Sequence, residues 1–394
     1  MNVRDDFPIF KQKIHGKELI YLDSAATAHK PKVMIDAISN FYTSQYGTVH
    51  RAIYNLSASA TRLYSEARQK VQRFINASKE EEIIFTKGTT EGINLVSKIF
   101  ITPGDVVIVP EIEHHSNIVP WQLAKAKLKT IKTNDSGEID LDHLESLLKE
   151  GAKLLSLAHI SNTIGVVHPI KKIIDLAHSY NVKVLIDAAQ SASHKKIDVQ
   201  ALDADFLVFS GHKLYGPTGI GVLYGKLEII KDLPPYQGGG DMIFVVNFDE
   251  TKYNEPPLRF EAGTPPIAEV IGLAASIDYI EALGLENIEK AEHKLLERLL
   301  KDLTLIDHVN ILGRPKERGS LVSFTVEGVH SLDVGTMLDL QGVAVRTGHL
   351  CSQPTMQKFN TSSVIRASFA IYNTEREIDL FVDKLKKIVE KLRS

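Results

Sequence analysis

The sequence predicts an α/β fold, with a large, mostly parallel sheet covered by helices on both faces and a smaller α+β domain at the C-terminal end. Three observations predict it. Short apolar runs alternate with amphipathic stretches between residues 82 and 209, the pattern of parallel strands joined by crossover helices. Polar residues recur directly after those runs. The alternation then stops beyond Gly225, where long helical stretches and a few late strands follow. A length of 394 residues suits about two or three domains.

The elements are expected in this order. Residues 1 to 20 form a polar lead with an amphipathic look, and Ile20–Asp23 is a brief strand ending in the small-residue turn Ser24–Thr27. Helical spacing begins after Pro31, and a long helix is expected over Ser57–Ile75. Strands follow at Glu82–Thr86, Asp105–Val109, Leu128–Lys132, Lys153–Leu157, Val182–Ile186 and Asp205–Phe209. The stretch from Pro169 to His178 is a representative amphipathic helix between two of them. Tyr236–Gly240 and Asn254–Pro257 read as loops, and helical stretches run from Pro266 to about Leu303. Strands at Leu321–Thr325 and Val343–Arg346 and a terminal helix over Glu375–Leu392 complete the chain. The expected domains are residues 21–284, and residues 1–20 with 285–394.

A formal charge of −3 offers no basic footprint for nucleic acid. The polar, acidic start is unlike a signal peptide, and the apolar runs are too short to span a membrane. Cys351 is the only cysteine, which excludes an intrachain disulfide and favours a reducing cytoplasm.

In an open parallel sheet, sites form beyond the carboxyl ends of the strands. Lys213 follows the strand Asp205–Phe209 in the run Ser210-Gly-His-Lys213, ahead of a glycine-rich turn. A lone lysine is ordinarily solvated. In a cleft, its desolvated amine becomes a nucleophile able to form a Schiff base with a carbonyl cofactor. Gly88, Thr89 and Thr90 open a helix after another strand, which makes either a plain cap or a cradle for one phosphate. No dinucleotide or nucleoside-triphosphate loop is present. Asp187 ends a third strand, either capping a turn or holding a pyridine nitrogen protonated. Taken together, the three suit the ring nitrogen, aldehyde and phosphate of pyridoxal phosphate.

His114 offers a flat ring and a titratable nitrogen, or an ordinary structural histidine. Zinc is disfavoured, because His114, His115, His349 and Cys351 lack finger-like or HExxH spacing. Free cysteines are usually inert core residues. Cys351, however, sits in a polar glycine-containing loop near Arg346 and His349, surroundings that favour a thiolate. Arg366 suits a substrate carboxylate or a surface ion pair.

With these residues assembled, the chain resembles a class V aminotransferase-fold enzyme, of PLP-dependent transferase fold type I. More closely it resembles the group II cysteine desulfurases, the SufS/CsdA type with selenocysteine lyase-like activity. The likeness rests on Tyr21–Ala26, Val49–Arg51, Gly88–Asn94, Glu113–Gln122, Ser210–Lys213, Arg259–Thr264 and Arg346–His349 with Cys351.

The resemblance implies roles residue by residue. Lys213 forms the Schiff base and later moves the Cα proton. His114 stacks on the ring, Asp187 pairs with its nitrogen, and Gln190 contacts the phenolic oxygen. Thr89, Thr90, Ser210 and His212 hold the phosphate, and Thr264 does so from a partner subunit, implying a homodimer. Asn162 and Arg366 bind the substrate carboxylate, with Arg346 and His50 near the substrate. Cys351 is the nucleophile that carries sulfur from L-cysteine, or selenium from L-selenocysteine.

The sequence departs from the family pattern at Ala52, Tyr54 and Leu350. Leu332 replaces a histidine found where the acceptor contains zinc, which favours a SufE-like acceptor and a SUF-type scaffold for iron–sulfur clusters. Other class V chemistry, such as transamination or dedicated selenocysteine lysis, is the alternative. Transamination has no use for Cys351. A degenerate scaffold protein would have no need of Lys213, Asp187, His114 and Cys351 together.

Overall fold

The computed structural model describes residues 3–50 and 53–393. Arg51 and Ala52, singled out in the sequence, lie outside the described residues. The chain opens with a small hairpin, β1 (Lys13–Ile14) and β2 (Lys17–Glu18), then β3 (Ile20–Tyr21), α1 (Lys32–Asn40) and α2 (Asn55–Phe74). The alternating region is β4 (Ile83–Thr86), α3 (Thr89–Phe100), β5 (Val106–Pro110), α4 (Val119–Leu123), β6 (Lys127–Ile131), α5 (Leu141–Lys149) and β7 (Leu154–Ala158). It continues through α6 (Ile170–Ser179), β8 (Lys183–Asp187), α7 (Val199–Leu202), β9 (Phe206–Ser210), β10 (Gly221–Gly225) and α8 (Leu227–Ile230). A hairpin, β11 (Ile243–Val246) and β12 (Thr251–Tyr253), leads to α9 (Ile267–Leu283) and α10 (Leu285–Leu303). The last part is β13 (Val309–Ile311), β14 (Leu321–Val326), α11 (Ser331–Asp339), β15 (Val343–Ala344), β16 (Arg346–Gly348), α12 (Gln353–Lys358), β17 (Val364–Ser368) and α13 (Glu375–Arg393).

The large sheet has the order β4-β10-β9-β8-β7-β5-β6. Strands β5 to β9 pair in parallel, and β10 runs antiparallel between β4 and β9. Side chains alternate across it, as the pleat requires. Leu207 and Phe209 of β9 join the core beneath α2, α6 and α9, whereas Phe206 and Val208 join the core beneath α3 and α8. Both faces are covered, so the inner strands read as near-continuous apolar runs rather than alternating ones, unlike the edge strand β6. Each of the six expected strands in this region is present, each with one or both boundaries moved by one residue. Among the described residues no helix is long and apolar enough to cross a membrane.

The smaller sheet, β13-β14-β17-β16, is antiparallel throughout. It packs against α10, α11 and α13 in a core of its own. The N-terminal segment divides between the two cores. Val3 and Phe7 pack into the large one, while Ile20 and Leu22 pack into the small one, where β3 pairs with β15. The two long helices α9 and α10 meet at Gly284, whose φ of 81° is easy only for glycine.

One buried ion pair fastens the Arg259–Thr264 run to the sheet. Arg68 of α2 grips Glu261 with both nitrogens, at 2.8 and 2.7 Å, and the Phe85 N–H donates to the same carboxylate at 2.7 Å. Glu261→Gln leaves the Arg68 cation unpaired at a site only 7% exposed. It is expected to cost about 3–5 kcal/mol of stability, which denaturant unfolding measures.

Candidate active site

The carboxyl ends of β4, β7, β8 and β9 surround a cavity of about 260 Å³, closed from the other side by the loop around Cys351 and by Arg366 of β17. Every expected site residue lines this cavity except Thr264 and His50. Those two are exposed and stand elsewhere. Thr264 borders a separate depression beside Tyr64 and Glu261, and the His50 ring lies edge-on to Tyr64 at 5.7 Å. Within one chain, His50 therefore does not reach the substrate site expected for it.

The phosphate-sized corner is built at the N-terminus of α3. The Thr89 N–H donates to Ser210 Oγ at 2.8 Å, and Thr90 Oγ1 lies 2.8 Å from Ser116 Oγ. Helix start and strand end come this close because both backbones are bare. A Cβ on Gly221 would fall 2.4 Å from the Cα of Gly88. Free N–H groups and the positive helix end make the corner fit for an anion.

At the second corner, Asp187 is 6% exposed and accepts the Ala189 N–H at 2.8 Å. Burial raises its pKa, and that backbone bond with the nearby Lys213 charge opposes the rise. The third corner is Lys213 itself. Burial pushes its amine down to about 8, against the pull of Asp187, so about a tenth is unprotonated at pH 7, far more than for an ordinary lysine. His114 is held neutral, its pKa lowered to about 4 by burial and by Lys213. Its Nδ1 accepts the Ser116 N–H at 3.0 Å, which leaves the ring proton on Nε2.

The thiol is presented by a strained turn. Leu350 and Cys351 both have φ of 54°, a costly conformation that persists only when its surroundings fix it. Asn162 Nδ2 donates to the Leu350 carbonyl at 2.8 Å, and the His115 N–H donates to the Cys351 carbonyl at 2.8 Å. The Cys351 N–H donates to His349 Nδ1 at 3.2 Å, and Ser352 Oγ donates to the Glu113 carbonyl at 2.8 Å. The Glu113–Asn117 run thus carries both His114 and the supports of the thiol loop.

Arg366 is 3% exposed. Its guanidinium donates to the Asn162 carbonyl at 2.8 Å and to Asp23 Oδ1 at 3.0 Å, while Nε is buried without a partner. Arg346 lies 3.7 Å from the other oxygen of Asp23 and is half exposed. The sequence reading passed over Asp23, which orients both arginines. It also passed over Gln190 as a brace: its Nε2 donates to the Ala25 carbonyl at 2.8 Å.

Glu113 was also missed as a titrating group. It is fully buried, accepts the Ala158 N–H at 2.7 Å, and is pushed up to about 8 by burial. The unfolded chain ionises this group from its ordinary 4.5. The unfolded state therefore gains on the folded state as pH rises from there to about 8. Glu113→Gln removes that loss, and thermal unfolding across this range is expected to show a flatter pH dependence in the variant.

The whole assembly has recognisable relatives. Residues 20–381 match the family Aminotransferase class-V. The chain belongs to the class-V aminotransferase family. Within this family it groups with the cysteine desulfurases. It is 47% identical over 395 residues to the cysteine desulfurase of Cronobacter sakazakii, covering 98% of this chain and 97% of that one. It is 46% identical to a probable cysteine desulfurase of Mycolicibacterium paratuberculosis, and spans 58% of that longer protein. Among solved structures, the apo cysteine desulfurase of Thermococcus onnurineus superposes with a TM-score of 0.94 at 40% identity, covering 99% of this chain and 98% of that one. The cysteine desulfurase CsdA of Escherichia coli, as an S-sulfonic acid, gives 0.91 at 37% identity, covering 98% of each.

Class-V enzymes of this kind are pyridoxal phosphate-dependent, and so is this chain. The cavity fits that cofactor on its own donors: an anion corner at α3, a buried carboxylate at Asp187 and a largely desolvated amine at Lys213.

Proposed function

We propose that this class-V enzyme converts L-cysteine to L-alanine, carries the sulfur as a persulfide on Cys351, and passes it to an acceptor protein for iron–sulfur cluster assembly. One observation carries the reading: the Cys351 loop closes the same cavity that holds Lys213, Asp187 and Arg366. A transaminase has no use for a thiol there.

The roles follow from position. Arg366 takes the substrate carboxylate, with its unpartnered Nε and fixed fork geometry suited to two parallel bonds. Asn162, at hydrogen-bond distance from both Arg366 and the Cys351 loop, orients the same carboxylate. Thr89, Thr90, Ser210 and His212 hold the cofactor phosphate, Asp187 its ring nitrogen, Gln190 its phenolic oxygen, and His114 covers its face. Bound there, pyridoxal phosphate supplies an electron sink for charge released at Cα. Lys213 removes the Cα proton. The Cys351 thiolate attacks the substrate Sγ, the Cβ–S bond breaks, and returning protons complete alanine. The overall exchange is L-cysteine plus the Cys351 thiol giving L-alanine plus the Cys351 persulfide.

Wild-type protein given L-cysteine is expected to release alanine while intact-mass analysis shows Cys351 heavier by one sulfur atom. No alanine above background would sink the reading. Arg366→Lys keeps the charge but loses the fork, so the KM for L-cysteine is expected to rise at least about tenfold, as steady-state kinetics would show.

The finer readings extend the same proposal. L-selenocysteine fits the same site. Thr264 is exposed and away from its own cavity, which suits service to a partner subunit in a homodimer, and sedimentation of the holoenzyme tests it. Leu332, 57% exposed, suits a SufE-like acceptor over a zinc-containing one. A cytoplasmic location suits the single free thiol.

A further inference from the structure

Lys30 has no role in the chemistry above, and its surroundings are unusual for a lysine. It is largely buried, and burial pushes its pKa down to about 8. Among the described residues it has no ion pair with a carboxylate. Its Nζ donates to the backbone carbonyl of His212 at 2.9 Å.

That carbonyl belongs to the peptide joining His212 to Lys213. It sits in the short turn Gly211–Lys213, which no further helical turn extends. A carbonyl in such a place needs partners from outside the element. Three converge on it: the Ala28 N–H at 3.0 Å, Thr27 Oγ1 at 3.3 Å and Lys30 Nζ at 2.9 Å. The same segment holds Gln190 through the Ala25 carbonyl and Arg366 through Asp23. Residues 23 to 30 thus form a strap between the turn that carries Lys213 and the arginine that takes the carboxylate. Among the described residues Lys30 is its only cationic anchor on the lysine side, and it makes the shortest of the three bonds. Burying an unpaired ammonium is unfavourable, so a feature that keeps it there points to position rather than stability.

We propose that Lys30 is a positioning residue for Lys213: its ammonium completes a three-donor clamp on the His212 carbonyl and fixes the turn from which Lys213 enters the cavity. The inference rests on the proposed role of Lys213 in binding pyridoxal phosphate and moving the Cα proton. The clamp acts on the backbone, so its loss displaces the amine without emptying the carboxylate site.

The test uses holoenzyme of wild type, Lys30→Met and Lys30→Arg. The first readout is the rate at which hydroxylamine bleaches the yellow absorbance of the cofactor–Lys213 linkage. The second is the split between kcat and KM for L-cysteine. Lys30→Met is expected to bleach about tenfold faster and to lose kcat by a similar factor, the scale of one charge-assisted hydrogen bond, with KM unchanged. Lys30→Arg, which keeps charge and donors, is expected to recover most of both. Should Lys30→Met fail to fold, Lys30→Gln takes its place with the same expectations. Wild-type bleaching and kcat in the Met variant would overturn the proposal, and so would an Arg variant as impaired as the Met one, since packing alone would then explain the loss. A wild type that holds the cofactor but makes no alanine would instead refute the desulfurase reading and leave the clamp measurable.

Discussion

Lys213→Ala is expected to lower alanine formation from L-cysteine by about four orders of magnitude, the upper range for loss of a positioned acid–base group that is also the covalent anchor. The visible absorbance of the cofactor–lysine linkage should vanish with it. The size of the effect follows from placement. Lys213 is half-buried in the cavity that Asp187 and Arg366 also line, and desolvation has already brought its amine to about 8. An ordinary lysine, with a pKa about two units higher, would hold its proton too firmly to accept another near neutral pH. In the wild type, kcat is therefore expected to rise with pH toward about 8 as more of the free amine takes the base form. Lys213→Arg, permanently protonated, should be as inactive as the alanine variant at every pH. A pH–rate profile of wild type that stays flat from 6 to 9, or a Lys213→Arg variant with measurable turnover, would remove Lys213 from the proton-transfer step.

The legible part of this protein was the part written in short segments. Apart from the edge strand β6, each strand from β4 to β9 is a compact, largely apolar run, and the polar residues at or just after its end fall at the same edge of the sheet, so Thr89, His114, Asp187 and Lys213 could be assembled from local sequence alone. β10 was not legible. Gly221–Gly225 follows directly on a glycine-rich turn and reads as its continuation, although the bare backbone of Gly221 is what lets it pass Gly88. The hairpin β11–β12 was hidden for the opposite reason. Phe244, Val245, Val246 and Tyr253 are largely exposed, so no buried face imposes an alternating pattern. Arg366 was noticed, but the strand around it was not, because a charged residue sits at the centre of five buried positions. The contacts that give the site its electrostatics are longer still. Asp23 meets Arg366 across 343 residues, and Lys30 meets His212 across 182. Glu113 reads as a surface-type residue beside two histidines, and only the packing of β7 and the Cys351 loop around it removes it from water.

Cys351→Ala is expected to abolish sulfur release from L-cysteine, by at least about a thousandfold, while leaving the yellow cofactor absorbance intact. The separation of these two outcomes is what the geometry requires. Cys351 belongs to the loop between β16 and α12, and its hydrogen bonds are made by its backbone, to His115 and His349. No hydrogen bond at the phosphate corner, Asp187 or Lys213 uses its side chain, and a Cys351 charge adds only a lesser upward pull on the Lys213 amine. The variant should still bind L-cysteine and show the change in visible spectrum that accompanies substrate binding, then stop before the C–S bond breaks. Cys351→Ser sharpens the point, since a hydroxyl fits the same space but is a poor nucleophile toward sulfur and cannot carry it as a persulfide. It should be as inactive as the alanine variant. L-selenocysteine distinguishes the sulfur role from general acid–base help. Its weaker carbon–chalcogen bond demands less of a nucleophile, so both variants are expected to retain more activity on it than on L-cysteine. Wild-type rates of alanine formation from L-cysteine by Cys351→Ala would show that the sulfur leaves without Cys351, and the loop clamped by Asn162 and His115 would then need another purpose.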